Sequence, residues 1–306
     1  MKLIYNGVDI TPRVFINRCE HETFAEKRAD RLLIRFVDSG NRWSAWQPKS
    51  GDTIRYQNKA ADTGVMYITR VSPANGLITF YASAMPPTGE IVKNRAWENI
   101  RLLKIGEDIA AEHDLKFQSY GVTDRIYSYI RQDNQSDFDF LQTRCLLEGC
   151  AMVVYNGRLV IYDEQVRESA RATTRIKIGA DGVFEFSDRS GESYSSAEIS
   201  SGEYAGVFYA DNVRTGRILR PRQPIECVSN EEALRFARGI LRDANKNAYT
   251  GNFRRQLTCD YAAGSVVEIE NAKASKWNGR VFITRTRMDY VKGEIKIFFR
   301  KPLEGY

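Results

Sequence analysis

The chain has 306 residues, of which 42% are hydrophobic, 27% charged and 11% aromatic, with a net charge of +6. That length supplies two or three domains with cores of their own, and nothing in it approaches the ~18 consecutive apolar residues of a membrane helix. Lys and Arg are interspersed with Asp and Glu without a run of like charge, so the basic balance suits an acidic partner but gives no expectation of specific nucleic-acid binding.

The opening Met1-Lys2-Leu3-Ile4-Tyr5-Asn6-Gly7 lacks the apolar stretch and small-residue cleavage site of a secretory signal, so synthesis in the cytoplasm without membrane insertion is expected. Asn6-Gly7 is a hairpin signal between Leu3-Ile4-Tyr5 and Val8-Asp9-Ile10. Strands are expected at 31–37, 53–56, 65–70 and 77–81, each closed or opened by a glycine turn, which argues for an antiparallel sandwich or barrel. Met85-Pro86-Pro87-Thr88-Gly89 reads as a linker.

From Trp97 to Glu112 the residues Ile100, Leu103, Ile109 and Ala110 recur at helical spacing. Ser136 with Asp139 forms a capping box for a second helix, with Phe138, Leu141 and Cys145 on one face and a stop near Gly149. Ala151–Tyr155, Asn156-Gly157 and Arg158–Tyr162 form a type I′ hairpin, which makes the middle an α+β unit. Strands return at 183–186 and 206–209, interrupted by a helix over about 230–246. Ser229 and Glu232 cap it, and Ala233, Leu234, Ala237, Ile240 and Leu241 are its apolar stripe. The expected division is 1–90, 91–165 and 166–306: a mainly β fold, two antiparallel β-barrel modules flanking an α+β middle domain.

The two ends echo one another. Gly64-Val65-Met66-Tyr67-Ile68-Thr69-Arg70 matches Gly279-Arg280-Val281-Phe282-Ile283-Thr284-Arg285. Upstream, the strand opened by Gly51 matches the one opened by Gly264. Downstream, the strand after Gly76 matches the one after Gly293, and Arg255–Tyr261 stands for the strand preceding the first glycine. The order implies a duplicated module over 30–85 and 253–302, and two such modules in a ring of three would present six similar faces.

Chemistry is sparsely provided for. There are two histidines, His21 and His113, no HExxH, no Walker loop, and no metal-spaced Cys/His cluster. Cys19, Cys145, Cys150, Cys227 and Cys259 are scattered and read as buried small hydrophobes rather than a disulfide framework. Cys19 and His21 share a strand face by default, so their closeness is no catalytic signal.

Three stretches resemble the baseplate hub proteins of contractile phage tails, tailocins and related injection systems, the late control gene D family. They are Trp43 to Ser83, Trp97 to Leu115, and Gln132-Asp133-Asn134-Gln135-Ser136-Asp137-Phe138-Asp139-Phe140-Leu141 followed by Leu147-Glu148-Gly149-Cys150 and Asn156-Gly157-Arg158-Leu159. The resemblance implies two tail-tube-like barrels in a homotrimer of pseudo-six-fold symmetry between the hexameric tail tube and the trimeric spike. Its partners would be tube, spike and other baseplate proteins, in a phage or tailocin particle made in the host bacterial cytoplasm. It implies no cofactor, metal or catalytic residue. On this resemblance Ser136 and Asp137 are expected to start a helix, Phe140, Leu141 and Leu159 to pack the core, Gly149 and Gly157 to serve turns, and the spike and any lytic domain to be separate polypeptides.

Two other readings compete. A tail-associated peptidoglycan hydrolase needs two carboxylates across a cleft, which 39 acidic residues permit, although no acid sits in an evident apolar pocket motif. A β-barrel nucleic-acid binder would use the positive charge and the aromatics.

Overall fold

A computed structural model describes residues 1–58, 61–179 and 182–306. Local turn chemistry acts where the sequence places it. Asn6 (φ 45°) and Gly7 (φ 80°) take both left-handed positions of a type I′ turn, folding Lys2–Tyr5 onto Val8–Asp9. Asn156 (φ 44°) and Gly157 (φ 68°) do the same between Cys150–Tyr155 and Arg158–Asp163.

The fold is mainly β, and strands from both ends of the chain share one 13-stranded sheet. Along it lie Phe184–Asp188, Tyr249–Gln256, Glu294–Arg300, Gly279–Asp289, Phe15–Phe24, Arg31–Val37, Leu77–Ser83, Met66–Ala74, Thr53–Gln57, Lys2–Tyr5 and Val8–Asp9. Val266–Asn271 branches from Gly279–Asp289 and carries Arg175–Ile178, the one parallel pair in this sheet. Strand alternation buries one face: Leu32, Ile34 and Phe36 go inward from Arg31–Val37, and Ile295, Ile297 and Phe299 from Glu294–Arg300. The first end is filled by Trp43, on the short helix α1 (Arg42–Trp46), with Tyr5, Phe36 and Phe80. The second is filled by Phe253, Val267, Val281, Ile283 and Phe299.

The middle region differs from the expected helix at its start. Val92–Arg101 is a strand paired with Ile126–Ser136, and α2 begins only at Leu102 (Leu102–Glu112). Lys93, Arg95 and Trp97 recur with period two, and Trp97 stacks on Phe140 at 4.9 Å, so pairing overrides the helical spacing that Ile100 shares by coincidence. The supposed linker is also built in. Pro87–Glu90 forms a 3-10 turn, and Gly89 lies so close to the Phe138 ring that any side chain there would overlap it.

Helix α3 (Asp137–Leu147) begins at the capping box: the Asp139 N–H donates to Ser136 Oγ at 3.2 Å and Ser136 Oγ donates back to Asp139 at 2.7 Å. Helix α4 (Glu164–Ser169) follows the hairpin. Helix α5 (Asn230–Asn245), capped by Ser229, packs on the small sheet of Ser196–Ser201, Tyr204–Tyr209 and Ile218–Leu219, and on α3. Its stripe differs from the expectation at one place: Leu234 is 44% exposed, and the helix turn instead buries Phe236. The strand equivalent to Arg31–Val37 is Tyr249–Gln256, not Arg255–Tyr261, because Leu257 begins an irregular stretch in which Asp260 N–H bonds Thr258 Oγ1. Four cysteines are buried, and Cys259 is exposed on that stretch.

Candidate assembly interface

The two copies of the Gly-x-aliphatic-aromatic-Ile-Thr-Arg motif have one geometry. Thr53 faces Tyr67 and Ile54 faces Met66; at the other end Val266 faces Phe282 and Val267 faces Val281. Gly51 (φ 90°) donates to the Ile68 carbonyl at 2.8 Å, and Gly264 (φ 83°) to the Ile283 carbonyl at 2.8 Å. Gly64 (φ 68°) and Gly279 (φ 110°) both open their strands in the left-handed region. The register then slips by one residue at Thr69 and again at Thr284, a β-bulge in each copy. The bulged threonines bond the Tyr81 and Phe298 carbonyls at 3.1 and 3.2 Å, and Arg70 and Arg285 lie 3.8 and 3.7 Å over the rings of the same two residues. What reads as a sequence echo is thus a bulge with its hydroxyl lock and its cation–π cover, present twice.

The bulged strand of the second copy continues into a joint with the first. Arg285 to Asp289 pair with Phe24 to Glu20, Thr286 Oγ1 meets Thr23 Oγ1 at 2.7 Å, and Arg287 bonds Glu22 at 2.6 Å. The corresponding half of the first copy is Arg70–Ala74, and among the described residues it pairs only with Leu77–Ser83. The counterpart of Phe15–Phe24 is Phe184–Asp188. Glu22 faces Arg31 as Ser187 faces Thr250, and Phe184–Asp188 likewise pairs only with Tyr249–Gln256. One chain therefore carries one completed joint and both halves of a second.

The stretch that carries the family likeness builds a different feature. Asp137 is fully buried, and its carboxylate takes Lys93 Nζ at 2.6 Å, Arg95 at 2.7 Å, His113 Nε2 at 2.9 Å and Gln132 Nε2 at 3.0 Å. Burial pushes its pKa up, but Lys93, Gln132, His113 and the Arg95 charge outweigh it and hold the group at about 2. Glu112 closes the network on Lys93 and Arg95. Glu112, His113 and Asp137 have metal-ligand spacing, yet the two fixed cations already occupy both carboxylates. Phe140, Leu141 and Leu159 are buried, Gly149 (φ 72°) ends the turn after α3, and Gly157 lies in the hairpin. The sequence does not show that Lys93, Arg95 and His113 converge on Asp137, although the period-two Lys-x-Arg-x-Trp marks the strand that carries the two cations.

A buried ion cluster holds distant segments together. Arg242 of α5 reaches Glu164 at 3.2 Å and Glu168 at 2.7 Å, Lys246 reaches Glu164 at 2.6 Å and also Glu26, and the fully buried Arg300 reaches Glu168 at 2.5 Å. Burial, reinforced by Glu164, pushes Glu26 up to about 7.

Beside the joint, a cavity of about 620 Å³ opens between the sheet (His21, Thr23, Thr286, Met288) and the hairpin residues Val153 to Tyr162. His21 Nδ1 meets Tyr290 Oη at 3.1 Å, and its Nε2, without a hydrogen-bond partner, stands 3.8 Å from Asp30. Burial pushes Asp30 up to about 8 and His21 down to about 4. No sequence motif marks Asp30; its burial comes from the folded surroundings, Phe24 and His21 on the neighbouring strand among them. The other carboxylate lining the cavity, Asp62, is bound by Arg55 and Gln57 and held well below the usual range.

No helix among the described residues is long and apolar enough to cross a membrane. No protein-family model and no curated protein matches the sequence. Solved structures do match. The prophage MuSo2 43 kDa tail protein of Shewanella oneidensis superposes with a TM-score of 0.75 at 11% identity, covering 98% of each chain. A tail protein of Neisseria meningitidis MC58 gives 0.74 at 11% identity, over 98% of this chain and 95% of that one. An Escherichia coli type VI secretion component, described as structurally similar to phage T4 tail proteins gp27 and gp5, gives 0.60 at 12% identity, over all of this chain and 78% of its own. Across essentially its whole length, the chain has the fold of phage tail proteins.

Proposed function

We propose that the protein is a structural, non-enzymatic hub of a contractile tail or related injection apparatus, three copies of which form a ring joining a six-fold tail tube to a three-fold spike. The observation that carries this reading is the internal joint: its two halves recur on the same chain, each with one edge that no strand among the described residues covers. Repeated between copies, the joint sets Ser72 against Ser187 of the next copy, as Arg287 sits against Glu22 within one. The number three comes from the resemblance; the duplicated module supplies six similar faces from three chains. Pro73 stands where Met288 stands in the internal joint and offers no N–H, so the joint between copies has one donor fewer. The same proline discourages pairing with unrelated strands.

The ring reading also assigns the two faces of the sheet. The two larger cores and the cavity lie on one face of the eight strands from Phe184–Asp188 to Met66–Ala74, which the ring reading turns outward; the opposite face, covered at its Phe282 and Arg300 end by the hairpin and α4, turns toward the bore.

The test is a Ser72→Cys/Ser187→Cys double variant, oxidised and sized by native mass measurement. Disulfide-closed trimers are expected. A population that remains monomeric, or that couples the two cysteines within one chain, overturns the reading. Clearing of peptidoglycan suspensions by the pure protein would instead favour a hydrolase.

A further inference from the structure

Directly opposite positions on five neighbouring strands place Arg254, Lys296, Arg287, Glu22 and Arg31 in a single row across the face opposite Phe253, Ile295, Ile297 and Leu32. Cβ atoms at such positions are about 5 Å apart, and like charges set opposite one another destabilise a sheet. Glu22 is the one acid of the row, and Arg287 and Arg285 already share it, at 2.6 and 3.9 Å. Among the described residues no carboxylate pairs with Arg254, Lys296 or Arg31. Phe298 beside the row bears two more cation contacts, with Arg285 at 3.7 Å and Lys296 at 5.0 Å to the ring centroid.

The fold does not require this arrangement. In the first copy the equivalent positions are Arg35, Thr79 and Ser72, joined by the same registers, and they carry one charge rather than three. The same strands therefore fold without a like-charge ladder, and its presence in the second copy calls for an anion outside the chain.

We propose that the row binds the phosphodiester backbone of nucleic acid without reading its sequence. Phosphates recur regularly along a strand, roughly every 3.4 Å when stacked and farther when stretched, which matches a regular ladder of cations better than the scattered carboxylates of an acidic polypeptide. Arg donates in a fork to phosphate oxygens. The row lies within a single chain, so the proposal stands or falls separately from the ring, although in the ring it would face the bore.

The test is fluorescence anisotropy of a labelled single-stranded DNA of about 30 nucleotides, titrated between about 50 and 200 mM salt. The variant R254Q/R287Q/K296Q is expected to reduce the slope of log affinity against log salt by about 2. A control that removes three exposed cations off the sheet, R13Q/K49Q/R222Q, is expected to leave the slope within about half a unit of the parent. Lys296→Glu alone is expected to weaken binding about tenfold while raising the urea midpoint of unfolding, since it replaces two like-charge oppositions with two ion pairs. Unchanged binding in the triple variant, an equal loss in the control, or equally tight capture of a polyglutamate of matching charge would each overturn the proposal.

Discussion

Thr69 and Thr284 stand at opposite ends of the chain and make the same bond. Each is the extra residue of a β-bulge and donates its hydroxyl to the carbonyl across it, Tyr81 at 3.1 Å and Phe298 at 3.2 Å. A bulge leaves its residue out of the ladder, so the side chain supplies the pairing the backbone gave up. The two bulges have matched registers on both sides.

If the copies are equivalent, Thr69→Val and Thr284→Val should each lower stability by about 1 kcal/mol, with similar changes in urea midpoint. The double variant should be additive, as the sites share no partner. A tenfold disparity between the two equilibrium constants would speak against equivalence.

Asp137 should carry an acid-sensitive share of stability. Its pKa of about 2 lies below that of the unfolded chain, about 3.9. Its contribution is therefore complete above pH 4 and declines as pH falls toward 2. Asp137→Asn keeps the shape but removes the buried negative charge and one of the two acceptor oxygens that Lys93 and Arg95 share, at a cost of about 2 kcal/mol at pH 7, discounted because both cations are partly exposed and keep Glu112. Denaturation at pH 6 and pH 2.5 should show the gap between parent and variant closing on acidification. A constant gap would mean the carboxylate charge is irrelevant.

Asp30 predicts the opposite slope. With its folded pKa raised to about 8, the folded chain keeps the proton while the unfolded chain releases it near pH 4. Stability contributed by this group is complete below pH 4 and falls as pH climbs to 8. Asp30→Asn retains the acceptor for the Phe24 N–H, bonded at 3.1 Å, and should gain on the parent progressively across that window. His21, pushed down to about 4, acts the other way, losing stability as pH drops from about 6.5 to 4. That arm should survive in the variant. Parallel pH profiles for parent and variant would show that Asp30 ionises freely.

Much of this molecule is legible locally. Asn6-Gly7 and Asn156-Gly157 form their turns, Ser136 and Ser229 cap their helices, and the alternation of Arg31–Val37 buries the side chains it should. Each depends on residues a few positions apart, where side-chain size and backbone freedom decide the outcome. Helix packing is less visible. Gly206 and Gly239 read as ordinary glycines, yet a Cβ on Gly239 would overlap the backbone of Leu146 and Leu147, and one on Gly206 the backbone of Ala233 and Leu234. Only the approach of α5 to its neighbours assigns them that role.

The echo between the two ends is carried by the chain alone, through glycines and the Ile-Thr-Arg motif. Tertiary structure decided what the motif is for. A bulge is a relation between two strands, a joint is a relation between two copies, and the cluster of Glu26, Glu164, Glu168, Arg242, Lys246 and Arg300 draws on four separate segments. Burial, which governs the pKa of Asp30 and Asp137, is a property of what surrounds a residue in space, and sequence order does not carry it.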